Sequence, residues 1–110
     1  MQLYYKTDKL RKLCKEENKK EVIKKYGLEF SKKLLIRINL LEKVNNLNEV
    51  PTCLPTRRHK LIGNYDGCYA INITNQYRLI FKPKDADSVI IENLELITKI
   101  EITEVSKHYE

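Results

Sequence analysis

The sequence predicts an α+β fold, with N-terminal helices packed on one face of a small, mostly antiparallel sheet. Apolar residues recur at helical spacing in the first half of the chain and alternate with polar residues in the second half. Residues 45–56, rich in proline and asparagine, separate the two halves and are predicted to form a loop. Helices that precede a run of hairpin-connected strands are typical of this class. The 110 residues fit one domain, which we expect to cover residues 1–110.

The first half is predicted to hold one short strand and then helices. Aromatic residues favour a strand at Gln2–Tyr5, and Thr7 is suited to cap the helix that follows. A second helix is predicted at Lys19–Tyr26, where Gly27 ends it. The strongest helical pattern covers residues 28–47. Its apolar stripe is predicted to be core: Phe30, Leu34, Ile38 and Leu41.

The second half is predicted to form strands over residues 60–62, 68–74, 77–81 and 98–105. An Asp-Gly turn signal falls within residues 64–67. Residues 84–97 are interpreted as an excursion from the sheet. Strict alternation in the third of these strands places Arg78 on the face opposite Tyr77, Leu79 and Phe81. Because the helices are expected to cover one face, the other is the natural place for a functional site.

Charge is unevenly distributed along the chain. Residues 1–60 hold 16 Lys and Arg against 7 Asp and Glu, and residues 61–110 hold 5 against 8. A basic field attracts polyanions such as nucleic acids and speeds their encounter. A lysine-rich helical surface that only keeps the protein soluble explains the same charge, so composition leaves both interpretations open.

The cysteines argue against a disulfide framework. Cys14, Cys53 and Cys68 are odd in number and not closely spaced, which fits a reducing compartment. A zinc site that adds His59 and His108 would lack the usual ligand spacing, so we expect neither a metal nor a cofactor. No apolar run reaches the ~18–20 residues that span a bilayer, and the first residues lack a signal-peptide pattern. We therefore expect a cytoplasmic protein with no membrane partner.

Arg78 is the foremost candidate for a catalytic role. A guanidinium is always charged and matches two phosphate oxygens, so it can stabilise the charge that develops when a phosphodiester is cleaved. A purely structural arginine, paired with Glu101 or Glu104, is the alternative. Tyr65 is interpreted as a packing and turn residue.

Cleavage without a metal also needs groups that accept and donate protons. His59 precedes a predicted strand and has a suitable imidazole, although an exposed loop histidine explains it equally. His108 and Tyr109 follow the last predicted strand, and their alternative is a frayed end of the chain. Three neighbouring cations are candidates to bind the phosphate backbone: Lys60, Arg58 and Arg57.

Residues 57–81 and 98–109 resemble the HigB-type toxins of the RelE/ParE toxin–antitoxin superfamily. The resemblance rests on a His-x-Leu-x-Gly string that begins at His59, an aromatic-Arg-Leu-x-Phe strand around Arg78, and a last strand followed by His108-Tyr109. Two positions depart from the family pattern. Ile62 stands where a lysine is frequent, and the usual Tyr-His order is reversed at 108–109.

The resemblance implies a ribosome-dependent mRNA endonuclease that inhibits translation as the toxin of a type II toxin–antitoxin system. It implies the ribosome and mRNA as partners, and a cognate antitoxin of the helix-turn-helix, HigA-like kind. Two alternatives stay open. ParE-like relatives with the same fold inhibit gyrase, and the change at Ile62 also allows a decayed toxin that only binds its antitoxin.

Overall fold

Helices precede most of the strands along this chain, whose computed structural model describes residues 1–87 and 92–107. The helices in these residues are α1 (Asp8–Leu13), α2 (Lys19–Tyr26) and α3 (Leu28–Lys43). The strands are β1 (Gln2–Tyr5), β2 (His59–Lys60), β3 (Tyr69–Asn72), β4 (Tyr77–Pro83) and β5 (Lys99–Lys107). Short 3-10 turns lie at Glu16–Asn18, Leu47–Glu49, Gly63–Tyr65 and Leu94–Leu96. None of the helices described has the length and apolar character needed to span a membrane.

The strands form one sheet in the order β1-β5-β4-β3-β2. β1 runs parallel to β5, and the other neighbouring pairs are antiparallel. The prediction of an α+β fold with a mostly antiparallel sheet is therefore confirmed. β4, which carries Arg78, and β5, which precedes the C-terminal candidates, lie next to each other inside the sheet.

The helices cover one face of this sheet, and the core lies between the two layers. The stripe on α3 packs there as predicted, because each of its four apolar residues is at most 5% exposed. Leu79 and Phe81 of β4 face the same core and are fully buried. Alternation along β4 then directs Arg78 and Ile80 to the opposite face, which we call the open face.

The beginnings and ends of the first two helices follow local chemistry. The hydroxyl of Thr7 accepts a hydrogen bond from the backbone N–H of Leu10 at 3.1 Å, which caps α1 as predicted. α2 has the predicted bounds. It ends where Gly27 adopts a φ of 96°, a conformation that side-chain-bearing residues avoid.

The third helix is shorter than predicted, because α3 ends at Lys43 and not near residue 47. Val44 adopts an extended conformation, and the chain turns back so that Leu47 becomes fully buried. The N–H of Leu47 donates to the carbonyl of Ile97 at 3.0 Å, which ties this turn to the segment before β5. A contact so distant in sequence outweighs the local helical pattern.

The strand bounds also differ in places from the prediction. β2 covers His59–Lys60 instead of residues 60–62, and Ile62, which directly precedes the turn at Gly63–Tyr65, is 86% exposed. β4 and β5 each run two residues beyond their predicted ends. Their register shifts between Ile80 and Phe81, so that Thr103 stands without a cross-strand partner.

Candidate functional site

Arg78 lies in the middle of the open face. It stands between Asn72 of β3 and Ser106 of β5, its two cross-strand partners. Its side chain is half-buried, and its Nε atom is buried without a hydrogen-bond partner among the described residues. The sheet thus presents a cation that its own neighbours leave incompletely paired.

The expected structural partners of Arg78 are engaged elsewhere. Glu101 lies within 3.6 Å of the Lys82 amine and 4.0 Å of the Lys84 amine. Glu104 accepts hydrogen bonds from the Tyr65 hydroxyl at 3.1 Å to each carboxylate oxygen. In residues 1–87 and 92–107, Arg78 makes no ion pair. This arrangement favours the interpretation of Arg78 as a ligand-binding residue over that of a structural arginine.

Tyr65 and Glu104 join the site, and the sequence did not predict either as a functional residue. The ring centroid of Tyr65 lies 5.8 Å from the guanidinium carbon of Arg78, within the range of a cation–π contact. The hydrogen bond to Glu104 and its negative charge raise the pKa of the Tyr65 phenol. Tyr65 therefore keeps its proton, and it orients both the carboxylate and the arginine.

His59 is on the same face as Arg78. Its partner in β3 is Ala70, whose own partner in β4 is Ile80, which pairs with Glu104 in β5. This row crosses four strands, so the backbones of His59 and Glu104 are about 14 Å apart at the usual ~4.8 Å strand spacing. Arg78 lies between them, one row along the sheet.

The ring of His59 is oriented by the backbone. Its Nδ1 lies 2.9 Å from the carbonyl oxygen of Arg57. A carbonyl only accepts hydrogen bonds, so Nδ1 carries the proton and donates it. In the neutral ring, Nε2 then holds a lone pair, which is the form required of a proton acceptor.

The structure does not bring all the predicted phosphate ligands to this site. Lys60 pairs with Tyr69, which faces the helices, so alternation directs Lys60 away from the open face. The Arg58 guanidinium donates to the carbonyl of Leu47, and burial lowers its pKa. Arg58 thus holds a loop in place and is not available to a phosphate. Arg57 is exposed beside His59.

The two candidates at the end of the chain, His108 and Tyr109, lie outside the described residues. β5, which leads to them, is described as far as Lys107, and Lys107 pairs with Tyr77. Within residues 1–87 and 92–107, no group of three or more His, Cys, Asp and Glu side chains is arranged to hold a metal ion.

Asn72 is a further residue of the open face that the sequence did not predict. Its N–H donates to the carbonyl of Thr56 at 2.8 Å, and its own carbonyl accepts from Nε of Arg37 at 2.7 Å. Arg37 is 7% exposed, and burial lowers its pKa. A buried cation on α3 therefore fixes the backbone next to Arg78.

Comparison with known proteins supports the fold. No family model matches the chain, and no curated protein sequence matches it. A chain of the YoeB–YefM complex from Staphylococcus aureus superposes with a TM-score of 0.57 at 15% identity, covering 99% of this chain and 98% of that one. A YoeB/ParE toxin from Agrobacterium tumefaciens gives 0.55 at 15% identity, covering 99% and 100%. The YoeB dimer from Staphylococcus aureus gives 0.54 at 16%, covering 99% and 98%.

This chain has the fold of YoeB/ParE-type toxins. The agreement extends over almost the whole length of each chain, so the architecture expected from residues 57–81 and 98–109 is confirmed. At 15–17% identity the likeness concerns the fold. The site of this chain must be interpreted from its own residues.

Proposed function

We propose that this chain, over residues 1–110, is the toxin of a type II toxin–antitoxin system and cleaves mRNA on the ribosome. The observation that carries the proposal is Arg78, a cation in the middle of the open face without a carboxylate partner among the described residues. The YoeB/ParE toxin fold supports the toxin class. The HigB-type assignment depends on the residue pattern at 57–81 and stays a prediction.

The proposed reaction needs no external reactant. The 2′-oxygen of one ribose attacks the adjacent phosphorus, a new P–O2′ bond forms, and the P–O5′ bond breaks. The proton of the 2′-hydroxyl passes to a base, and the departing 5′-oxygen takes a proton from an acid. The products are a 2′,3′-cyclic phosphate and a 5′-hydroxyl, and the charge on the non-bridging oxygens is greatest in the transition state.

Each role falls to a residue of this chain. Arg78 stabilises the transition state through its guanidinium. His59 accepts the proton through Nε2, because its Nδ1 is held by the Arg57 carbonyl. His108 or Tyr109 donates a proton to the leaving oxygen. Arg57 binds backbone phosphate, whereas Lys60 and Arg58 are left out because the first faces away and the second is engaged by Leu47.

A cognate antitoxin is the proposed protein partner, and the cytoplasm is the proposed location. The comparison structures include YoeB in complex with YefM, described as a toxin–antitoxin assembly. The sequence resemblance points to a helix-turn-helix, HigA-like antitoxin for this chain.

The test is pulse-labelling after tightly controlled induction in a bacterium. Protein and DNA synthesis are followed side by side for wild type, Arg78→Ala and the control Arg11→Ala, which changes an exposed arginine on α1. We expect protein synthesis to fall first in wild type and in the control. Arg78→Ala should reduce mRNA cleavage about 10²–10³-fold, as for the loss of one transition-state-stabilising group. Thermal unfolding shows that the variant is folded.

A folded Arg78→Ala variant that still arrests translation would contradict the proposal. The second candidate is a gyrase inhibitor, which the likeness to a YoeB/ParE toxin supports. In that case DNA synthesis would fall before protein synthesis. If neither protein synthesis nor DNA synthesis changes, the remaining alternative is favoured, which is a decayed toxin that only binds its antitoxin.

A further inference from the structure

Asn72 is the last residue of β3, and its backbone is fixed by hydrogen bonds on both of its polar groups. Its backbone N–H and carbonyl are both used, the first by Thr56 and the second by Arg37. The partner from α3 is a buried arginine, and a buried charge is costly unless it is hydrogen-bonded. The Asn72 carbonyl supplies a hydrogen bond to Arg37, and the same bond fixes the position of residue 72.

The side chain of Asn72 contrasts with its backbone. Within residues 1–87 and 92–107, its Oδ1 atom is buried and accepts no hydrogen bond. The buried Nε of Arg78 likewise donates none. Buried polar atoms without partners are unfavourable and uncommon in folded proteins. Here an unused acceptor and an unused donor occur on neighbouring residues.

The sheet brings these two side chains together. Asn72 and Arg78 are direct cross-strand partners on the open face. The N–H of Ile73 donates to the carbonyl of Tyr77, so the ladder places its hydrogen bonds at residues 71 and 73. Residue 72 therefore occupies a non-hydrogen-bonded pair, in which the Cα atoms approach to about 4.5 Å and the side chains are closest.

We propose that Asn72 and Arg78 together bind one nucleotide of RNA through its ribose and phosphate. Nε of Arg78 donates to a phosphate oxygen, and in the bound ground state Oδ1 of Asn72 accepts a hydrogen bond from the neighbouring ribose 2′-hydroxyl. That hydroxyl turns to Nε2 of His59, which takes its proton as the P–O2′ bond forms. Asn72 is then the residue that distinguishes RNA from DNA, because only RNA carries that donor. This inference rests on the proposed function and adds to it a residue that determines the sugar.

The chemistry of the 2′-hydroxyl fits the arrangement. In RNA this hydroxyl adjoins the 3′-phosphate of its own nucleotide. The acceptor on Asn72 can therefore bind the hydroxyl while the donor on Arg78, in the adjacent strand, binds the phosphate. Both protein atoms are buried in this structure, so the proposed binding requires the long Arg78 side chain to turn toward the phosphate. Binding gives each atom the partner that the described chain does not supply.

The test compares three fluorescently labelled single strands of one base sequence, with ribose, 2′-deoxyribose or 2′-fluororibose. The fluoro sugar offers an acceptor but no donor. Affinities are measured by anisotropy, and gels verify that each strand is intact. Wild type should bind the ribose strand about fivefold to tenfold more tightly than the other two, the effect of one hydrogen bond. Asn72→Ala should bind all three within about twofold.

Two further variants complete the design. Asn75→Ala, in the exposed turn of the same hairpin, should keep the wild-type preference. Arg78→Ala should weaken binding of all three strands alike, because phosphate is common to them. Asn72→Ala keeps both backbone contacts of residue 72, so it is expected to fold, and circular dichroism confirms this.

The outcomes separate this inference from the proposed function. A ribose preference that survives in Asn72→Ala overturns the role of Asn72, even if Arg78→Ala abolishes translation arrest. Equal binding of the three strands by wild type, or no detectable binding of the ribose strand, also overturns it. Failure of the proposed function is recognised separately, by arrest that persists in Arg78→Ala.

Discussion

The two faces of the sheet are made from the same strands, yet one is packed with apolar side chains and the other carries polar and charged ones. On the helix-covered face, Leu79 and Phe81 of β4 meet Ile100 and Ile102 of β5, and all four are fully buried. On the open face, the same two strands present Arg78, Glu104 and Ser106 beside the apolar Ile80. The covered face is closed by apolar contacts and stabilises the fold. The open face leaves buried polar atoms of Asn72 and Arg78 without partners among the described residues.

The open face is not uniformly polar. A small apolar cluster of Leu61, Ala70 and Ile80 lies on it, with Tyr65 and Cys68 packed against it. Tyr65 extends from this cluster to the Arg78 guanidinium and to Glu104. The cluster thus anchors the loop that supplies a side chain to the site. Tyr65 therefore contributes both to the packing of the apolar cluster and to the geometry around Arg78. Three changes test how far the two faces are independent.

The largest effect is expected on the covered face. Phe81→Ala removes a fully buried ring and should lower the free energy of unfolding by about 3–5 kcal/mol. Lys82→Ala, one residue along the strand on the other face, should change it by less than about 0.5 kcal/mol, because its ion pair with Glu101 is exposed to water. Urea denaturation measures both. Similar losses for the two variants would break the distinction between the faces.

A rise in pH is expected to have an intermediate effect on the free energy of unfolding. Burial raises the pKa of the Cys14 thiol from 9.0 to about 12. Burial, together with the Cys14 and Glu42 charges, raises the pKa of Tyr5 from 10.0 to about 12. Both groups are neutral when protonated, so their stabilisation is complete below their ordinary pKa values. It is lost as pH rises toward 12.

By about pH 10, Cys14 alone should lower the free energy of unfolding by about 1 kcal/mol relative to neutral pH. Cys14→Ala should be less stable at neutral pH, because it leaves a small cavity, but its stability should fall less over this range. Urea denaturation at both pH values tests this. A variant with the wild-type pH dependence would show that another group titrates.

The smallest effect is expected at the hydrogen bond between Tyr65, which packs on the apolar cluster, and Glu104. Tyr65→Phe removes the hydroxyl that donates to Glu104 and should cost about 1 kcal/mol, the usual net value of one hydrogen bond. The ring, and hence its packing on the apolar cluster of the open face, is retained. Combined with Glu104→Ala, which removes the acceptor, in a double-mutant cycle, the change measures the coupling directly. Strictly additive single and double variants would show that the hydrogen bond does not contribute.

Local pattern accounts for most of the fold. The bounds of α2, the cap at Thr7 and the face of Arg78 follow from spacing within a few residues, and the structure agrees with each. The end of α3 was predicted wrongly, because the burial of Leu47 depends on a contact with Ile97. Residues fifty positions apart leave no signal in a helical period.

The site was less predictable for the same reason. Arg78 stands out because a charge interrupts an apolar alternation. The partner of Tyr65 is 39 residues away, and Asn72 lies 35 residues from Arg37. No regular spacing in the sequence predicts contacts between residues so far apart. Lys60 was grouped with His59 by proximity in sequence, although adjacent residues of a strand point to opposite faces.

The pairing of β1 with β5 restricts the order in which this chain folds. β1 contains Gln2, and Gln2 lies beside Lys99 in the sheet. β1 therefore waits for a partner that is synthesised much later, and closing so long a loop is entropically costly. β5 also brings Ser106 alongside Arg78. The nascent chain thus cannot assemble its open face until β5 has left the ribosome, which postpones any activity of that face until then.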